Sequence, residues 1–243
     1  MKTKNMEILR HIALLCTIAA LVYLWFYNLY FDPNPEYGNR ASTASNVGRD
    51  HWFAFIMWGV SIDVALLTNF LYSCKKFGIH QKLPKVFAWI STIGMIGFVL
   101  CKNEKFKRIS WTFSFDQYTG PQKSDYSEQT LVSSQELFNG FISKKSLHSA
   151  FSVFFGVCFA IALMYLIIVK SRHSEKFHKL LIAFGVYVFL TAVLLKTHLS
   201  GTTELIAISV AMISMAIINN TDIMLDKDDP VPQQERQKVN ELN

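Results

Sequence analysis

Ser146-Leu147-His148-Ser149 lies where a polar segment runs into a long apolar one, and His198 follows at another such junction. An imidazole at the edge of a membrane helix is costly to bury and tends to be functional. Imidazoles titrate near working pH, so one ring type serves as nucleophile, base or acid. Two of them on one membrane face make an acid–base or nucleophile pair. Cations and hydroxyls flank both: Lys102-Asn103-Glu104-Lys105-Phe106-Lys107-Arg108, then Lys144-Lys145-Ser146, then Lys196-Thr197 before His198, with Glu204 six residues beyond it. These are the parts phosphoryl transfer needs. Cations and free N–H groups at a helix start stabilise phosphate oxygens in the transition state. One imidazole attacks phosphorus, the other protonates the leaving oxygen, and a carboxylate orients the nucleophile. Each cluster alone also has a plainer role, as an interfacial basic collar or a helix cap.

The elements that must position these residues are membrane helices. The 243 residues are 51% hydrophobic and 14% aromatic, with 20 Phe, too apolar for an ordinary soluble domain. The apolar residues fall in six blocks, roughly 11–31, 52–73, 86–101, 149–170, 180–195 and 204–218, long enough to approach or cross a hydrocarbon core. The expected fold is all-α, a polytopic bundle of six transmembrane helices over residues 1–221. The net charge of +6 then marks membrane orientation rather than nucleic-acid binding. Lys2, Lys4 and Arg10, then Lys75, Lys76, Lys82 and Lys85, then Arg172, Lys176 and Lys179 share one side if six helices alternate. The other side receives a first loop with only Arg40 and Arg49, the long loop 102–148 and a short last loop. Both termini are therefore expected to be cytoplasmic. The first apolar run is longer than a signal core, and no small-x-small site follows it closely, which favours a retained helix.

Several further features have bland readings. Cys16, Cys74, Cys101 and Cys158 follow neither a metal pattern nor a disulfide framework and read as small apolar residues. Asn219-Asn220-Thr221 matches a glycosylation sequon but falls on the expected inner face. His173 and His178 read as collar residues. Loop 102–148 is too long for a simple connection. Ile109, Trp111, Phe113 and Phe115 alternate there as in a short strand or interfacial segment, and Gln135 to Ile142 forms an amphipathic stretch. Asp222 to Asn243 is charged and Pro-containing, as in a flexible cytoplasmic tail. Asp63, in the middle of the second helix with Asn69 below it, is either a functional carboxylate of a transporter or proton-linked protein, or a group hydrogen-bonded to a neighbouring helix.

The three clusters resemble the motifs of the type 2 phosphatidic acid phosphatase superfamily, a six-helix membrane fold. Its pattern is Lys-x6-Arg-Pro after the third helix, Pro-Ser-Gly-His entering the fourth, and Ser-Arg-x5-His-x3-Asp near the last. Ser146-Leu147-His148-Ser149-Ala150-Phe151-Ser152 keeps the Ser, the His and the small residues of the second motif. Lys145 and Leu147 replace its Pro and Gly, Lys102 and Arg108 stand one residue closer than the first motif, and Ile109 replaces its Pro. Ala192 occupies the place of the third-motif Arg, with Lys196 as an electrostatic substitute. Fat storage-inducing transmembrane proteins show a similar plan, with Ser-Gly-His-Thr entering a helix and a later His followed by Glu.

The resemblance implies a lipid phosphatase or phosphotransferase acting on a lipid phosphate or diphosphate at the outer or lumenal face. Ser146, Lys102, Arg108 and Lys196 would bind phosphate, His148 would be the general acid, His198 the nucleophile forming a phosphohistidine, and Glu204 its orienting acid. No metal or other cofactor enters that mechanism. Two other readings stand beside it: a non-catalytic family member that binds lipid or a partner, and a metal-dependent hydrolase using His148, His198 and Glu204 as ligands. The expected location is a multi-pass position in a bacterial plasma membrane rather than an endoplasmic reticulum. The oligomeric state is left open.

Overall fold

The computed structural model describes residues 2–31, 43–101, 108–110, 141–197 and 201–224. Their helices are α1 (Lys2–Phe31), α2 (Ala44–Asp50), α3 (Trp52–Lys76), α4 (Leu83–Leu100), α5 (Lys144–Ser171), α6 (Glu175–Thr197) and α7 (Gly201–Asn220). All but α2 are long and apolar enough to cross a membrane. This is the architecture of an integral multi-pass membrane protein. The one departure from all-α among the described residues is a small antiparallel ribbon. It pairs β1 (Arg108–Ser110) with β2 (Phe141–Ser143), setting Arg108 opposite Ser143 and Ile109 opposite Ile142.

Local sequence accounts for the helix limits. α1 contains neither Gly nor Pro, and its buried positions Ala13, Thr17, Ala20, Leu24 and Tyr27 recur at three- and four-residue spacing, one stripe of a helix. α3 stops at Gly78, whose φ of 65° suits a residue without Cβ. There the Ile79 N–H donates to Cys74 O at 2.7 Å and the Gly78 N–H to Lys75 O at 3.3 Å, closing the last carbonyls of the helix. Ile79 is buried beside that turn. α4 starts with Pro84 in its first turn, where a missing N–H costs nothing.

The helices alternate in direction, so the bundle has two ends. At the distal end α1, α4 and α6 finish and α3, α5 and α7 begin. At the proximal end the reverse holds. The core runs between them through Leu24, Tyr27, Phe55, Ile62, Phe70 and Met212, all buried. Outward-facing positions carry Leu29, Phe53, Ile93, Val153 and Phe189, all exposed. Such a surface would aggregate in water, but hydrocarbon solvates it. α6 is the most peripheral span, with Ile182, Val186, Phe189 and Leu190 facing outward.

α4 and α5 approach most closely, because small residues face large rings. A Cβ on Gly97 would stand 2.5 Å from the Phe151 ring, and one on Gly94 would stand 2.9 Å from the Phe155 backbone nitrogen. Membrane helices associate through this kind of close contact, since lipid supplies no hydrophobic drive between them.

Two boundaries differ from the sequence reading. α5 begins at Lys144, four residues before the expected end of the long loop, so Lys144 and Lys145 are helical. Ser146 therefore lies within the first turn and does not precede it as a cap. At the other limit Met224 is buried, so packed structure continues past residue 221 before the tail begins. Phe141 and Ile142 belong to β2 and not to an amphipathic helix. Trp111, Phe113, Phe115 and 135–140 lie outside the described residues.

Candidate functional site

Two groups of buried polar side chains occupy the two ends of the bundle. The proximal group is fully partnered. Asn69 on α3 donates from Nδ2 to Thr17 Oγ1 at 2.7 Å and to Ala65 O at 2.8 Å, with a longer bond to Ala13 O. Asn219 on α7 donates from Nδ2 to Asn69 Oδ1 at 2.9 Å and to Asn69 O at 3.0 Å, while its Oδ1 accepts from the Ser73 hydroxyl at 2.7 Å. Lys76 Nζ closes the end of α7 by donating to Ile218 O, Asn219 O and Thr221 O. Helix C-terminal carbonyls need such a cation or cap. The Asn219 side chain, 1% exposed, is thus part of the core and closed to a glycan. Nearer mid-span, Asp63 on α3 accepts a bond from Thr92 on α4 at 3.3 Å, the interhelical partner foreseen in one of its two readings.

The distal group is built differently. His148 sits one turn into α5 and is 4% exposed, facing the bundle and not the water edge. Its ring packs on Phe98 of α4 at 4.3 Å between centroids and near Phe55 of α3 at 6.0 Å. Its Nδ1 lies 2.7 Å from Cys101 O, the residue that ends α4. A carbonyl only accepts, so Nδ1 carries the proton of that bond. In the neutral ring Nε2 is then the lone-pair nitrogen. Any proton or ligand that His148 exchanges passes through it. That atom is buried with no hydrogen-bond partner among the described residues.

Trp58 and Asn28 share this condition. The Trp58 indole N–H and both Asn28 amide atoms are buried without partners among the described residues. Trp58 stacks on Phe55 at 5.6 Å and approaches Phe98 at 6.4 Å and Tyr27 at 6.1 Å, so it belongs to the ring cluster around His148. Asn28 follows Tyr27 on α1. Each unsatisfied group of this kind costs about 1–3 kcal/mol, and native proteins retain few without a use.

α2 lies against this cluster. Tyr27 donates its hydroxyl to Ala44 O at 3.0 Å, and the Ala44 N–H donates to Glu204 Oε2 at 3.0 Å. Glu204, in the first turn of α7, thereby caps the first turn of α2, a contact between residues 160 positions apart in the chain. Trp52 adds a bond from its indole N–H to Val99 O at 3.0 Å, tying the start of α3 to the end of α4.

Of the residues singled out by type and spacing, His148 and Glu204 are described in full, and both stand at the distal end. Their links run to different partners: His148 to Cys101 and Phe98, Glu204 to Ala44. Arg108 lies on β1, Ser146 in the first turn of α5 and Lys196 in the last turn of α6, each described by backbone position. Lys102 and His198 lie outside the described residues. Among the described residues no three His, Cys, Asp or Glu side chains gather as a metal ligand set, and His198, one of the three candidate ligands, is not among them. Sequence reasoning missed Tyr27, Asn28, Phe55, Trp58 and the whole of α2. The one signal for α2 was Val47 amid polar residues, and seven residues are too few for a periodicity to register.

The fold and this site define a six-span helical membrane protein with a buried histidine at one end. Comparison of the chain with known protein families, with curated proteins and with solved structures finds no match.

Proposed function

We propose that the protein is a membrane lipid phosphatase or phosphotransferase of the type 2 phosphatidic acid phosphatase kind, hydrolysing a lipid phosphate or diphosphate. The supporting observation is His148: its Nδ1 proton is committed to Cys101 O, and Nε2 has no partner among the described residues where the end of α4 meets the start of α5. Lys102 follows Cys101 directly in the chain. In this reading His148 enters as the imidazolium, His198 attacks phosphorus, the phosphorus–oxygen bond to the lipid breaks, and His148 gives the leaving oxygen its Nε2 proton. Water then attacks the phosphohistidine, returns a proton to His148 and releases phosphate. Lys102, Arg108, Ser146 and Lys196 neutralise the phosphate oxygens. The site would face the outer or lumenal side, with both termini in the cytoplasm.

The test is phosphate release from a panel of lipid phosphates and diphosphates by purified protein in EDTA. Wild type is run beside His148→Ala and His198→Ala. Loss of about 100-fold or more in each variant is expected for an acid and a nucleophile. Inhibition by vanadate would accompany it. Release that survives both substitutions would refute the mechanism.

A second reading, a non-catalytic lipid-binding or accessory protein, draws on a specific observation. Glu204 already spends Oε2 on the Ala44 N–H, so the carboxylate assigned to orient a nucleophile has a structural use. No release from any substrate by folded protein would favour this reading.

A further inference from the structure

Two hydrogen bonds hold α2 at Ala44, and Phe55 packs against that helix and near the His148 ring. The Phe55 ring touches the backbone of α2 so closely that a Cβ on Gly48 would lie 2.5 Å from Phe55 Cγ. On its other sides that ring stacks on Trp58 and packs near His148. That one ring thus packs on or near both rings whose nitrogens, the acceptor His148 Nε2 and the donor Trp58 indole N–H, have no partner among the described residues. It is pinned by a helix of seven residues. That helix is too short to be stable by itself and depends on its tertiary ties. Those ties are the Tyr27 hydroxyl on Ala44 O, the Glu204 carboxyl on the Ala44 N–H, and the burial of Val47.

We propose that α2 and Phe55 form a gate, latched by Glu204, over a buried site for the hydroxyl group of a lipid alcohol, formed by His148 Nε2 and the Trp58 indole N–H. The ligand class follows from the two unpartnered atoms. A lone-pair nitrogen needs a donor and an indole N–H needs an acceptor, and a hydroxyl supplies both capacities. The surrounding phenyl rings suit the apolar chain that carries such a hydroxyl. Release of the latch lets α2 lift, Phe55 swing aside and the two polar atoms meet the ligand. The inference concerns the same His148 as the phosphatase reading but stands without any phosphate chemistry. In it Glu204 is a positioning residue.

Diethyl pyrocarbonate, which acylates a lone-pair imidazole nitrogen, measures exposure of His148 directly in the detergent-solubilised full chain, read by peptide mass. Glu204→Ala removes the latch, and Gly48→Leu forces α2 off Phe55. Each is expected to speed His148 modification about tenfold, the weight of one charge-assisted hydrogen bond. N-ethylmaleimide labelling of Cys74, 1% exposed near the proximal end, is expected to stay at the wild-type rate. Unchanged His148 rates in both variants would overturn the gate. So would equal acceleration at Cys74, which would mean the bundle unfolds as a whole. In Glu204→Ala, 1-decanol in the micelle is expected to slow His148 modification about fivefold at several times its dissociation constant, and its methyl ether to leave it unchanged. Equal protection by alcohol and ether, or by neither, would overturn the hydroxyl assignment. Phosphate-release results bear on none of these outcomes.

Discussion

The proximal and distal ends of this bundle bury similar numbers of polar side chains to opposite effect. Asn69, Asn219, Ser73 and Thr17 spend their hydrogen bonds on one another and on backbone carbonyls, joining α1, α3 and α7. His148, Trp58 and Asn28 are also buried, yet four of their atoms have no partner among the described residues. In a membrane interior, where water is not at hand, a satisfied network rigidifies and an unsatisfied one is a standing cost. The difference teaches which end is scaffold and which end is held ready for something else. Polar residues at membrane depth are not functional merely by being there. Their partners decide.

The comparison is tested most severely at Asn69. Asn69→Leu leaves Asn219 and Thr17 without their partner and is expected to lower unfolding stability by about 3 kcal/mol, above the usual weight of one interhelical bond because several are lost together. Equilibrium unfolding in mixed micelles measures it. Gly94→Val tests the close α4–α5 contact. Its side chain would press on the Phe155 backbone, force α4 from α5 and cost about 2 kcal/mol. It should also disturb the Cys101–His148 bond, visible as a shift in the His148 ring resonances. Lys76→Met removes the cation from the last carbonyls of α7, with an expected loss of about 1 kcal/mol. At the distal end the sign reverses. Trp58→Phe keeps most of the ring packing and deletes an unpaired N–H, so stability is expected to rise by about 0.5 kcal/mol while binding at the site falls. The same unfolding titration reads that gain.

The sequence made the spans legible because a membrane helix needs an apolar block, and block length survives without any partner being known. The same holds for His148, whose type and position at a block edge drew attention before any contact was visible. Its burial was not legible. A histidine at that edge reads equally well as reaching for water, and only Phe55 and Phe98, contributed by α3 and α4, decide the matter. Glu204 was found for its spacing from His198, but its bond to Ala44 crosses most of the chain and leaves no periodic trace. Asn219-Asn220-Thr221 reads as a sequon in the sequence, and only the packing shows Asn219 buried against Asn69. Asn28 and Trp58 escaped notice because each is ordinary in an aromatic-rich helix. Their unpartnered state exists only in three dimensions.

The contrast between the two ends reduces to one paired measurement, the thermal midpoints of Asn69→Leu and Asn28→Leu in the same detergent. Asn28→Leu removes two atoms without partners among the described residues and should raise the midpoint by about 2–4 °C, whereas Asn69→Leu should lower it by about 6–10 °C. A fall of similar size in both variants would mean that Asn28 is as structural as Asn69, and the distal end would lose its distinction as a site.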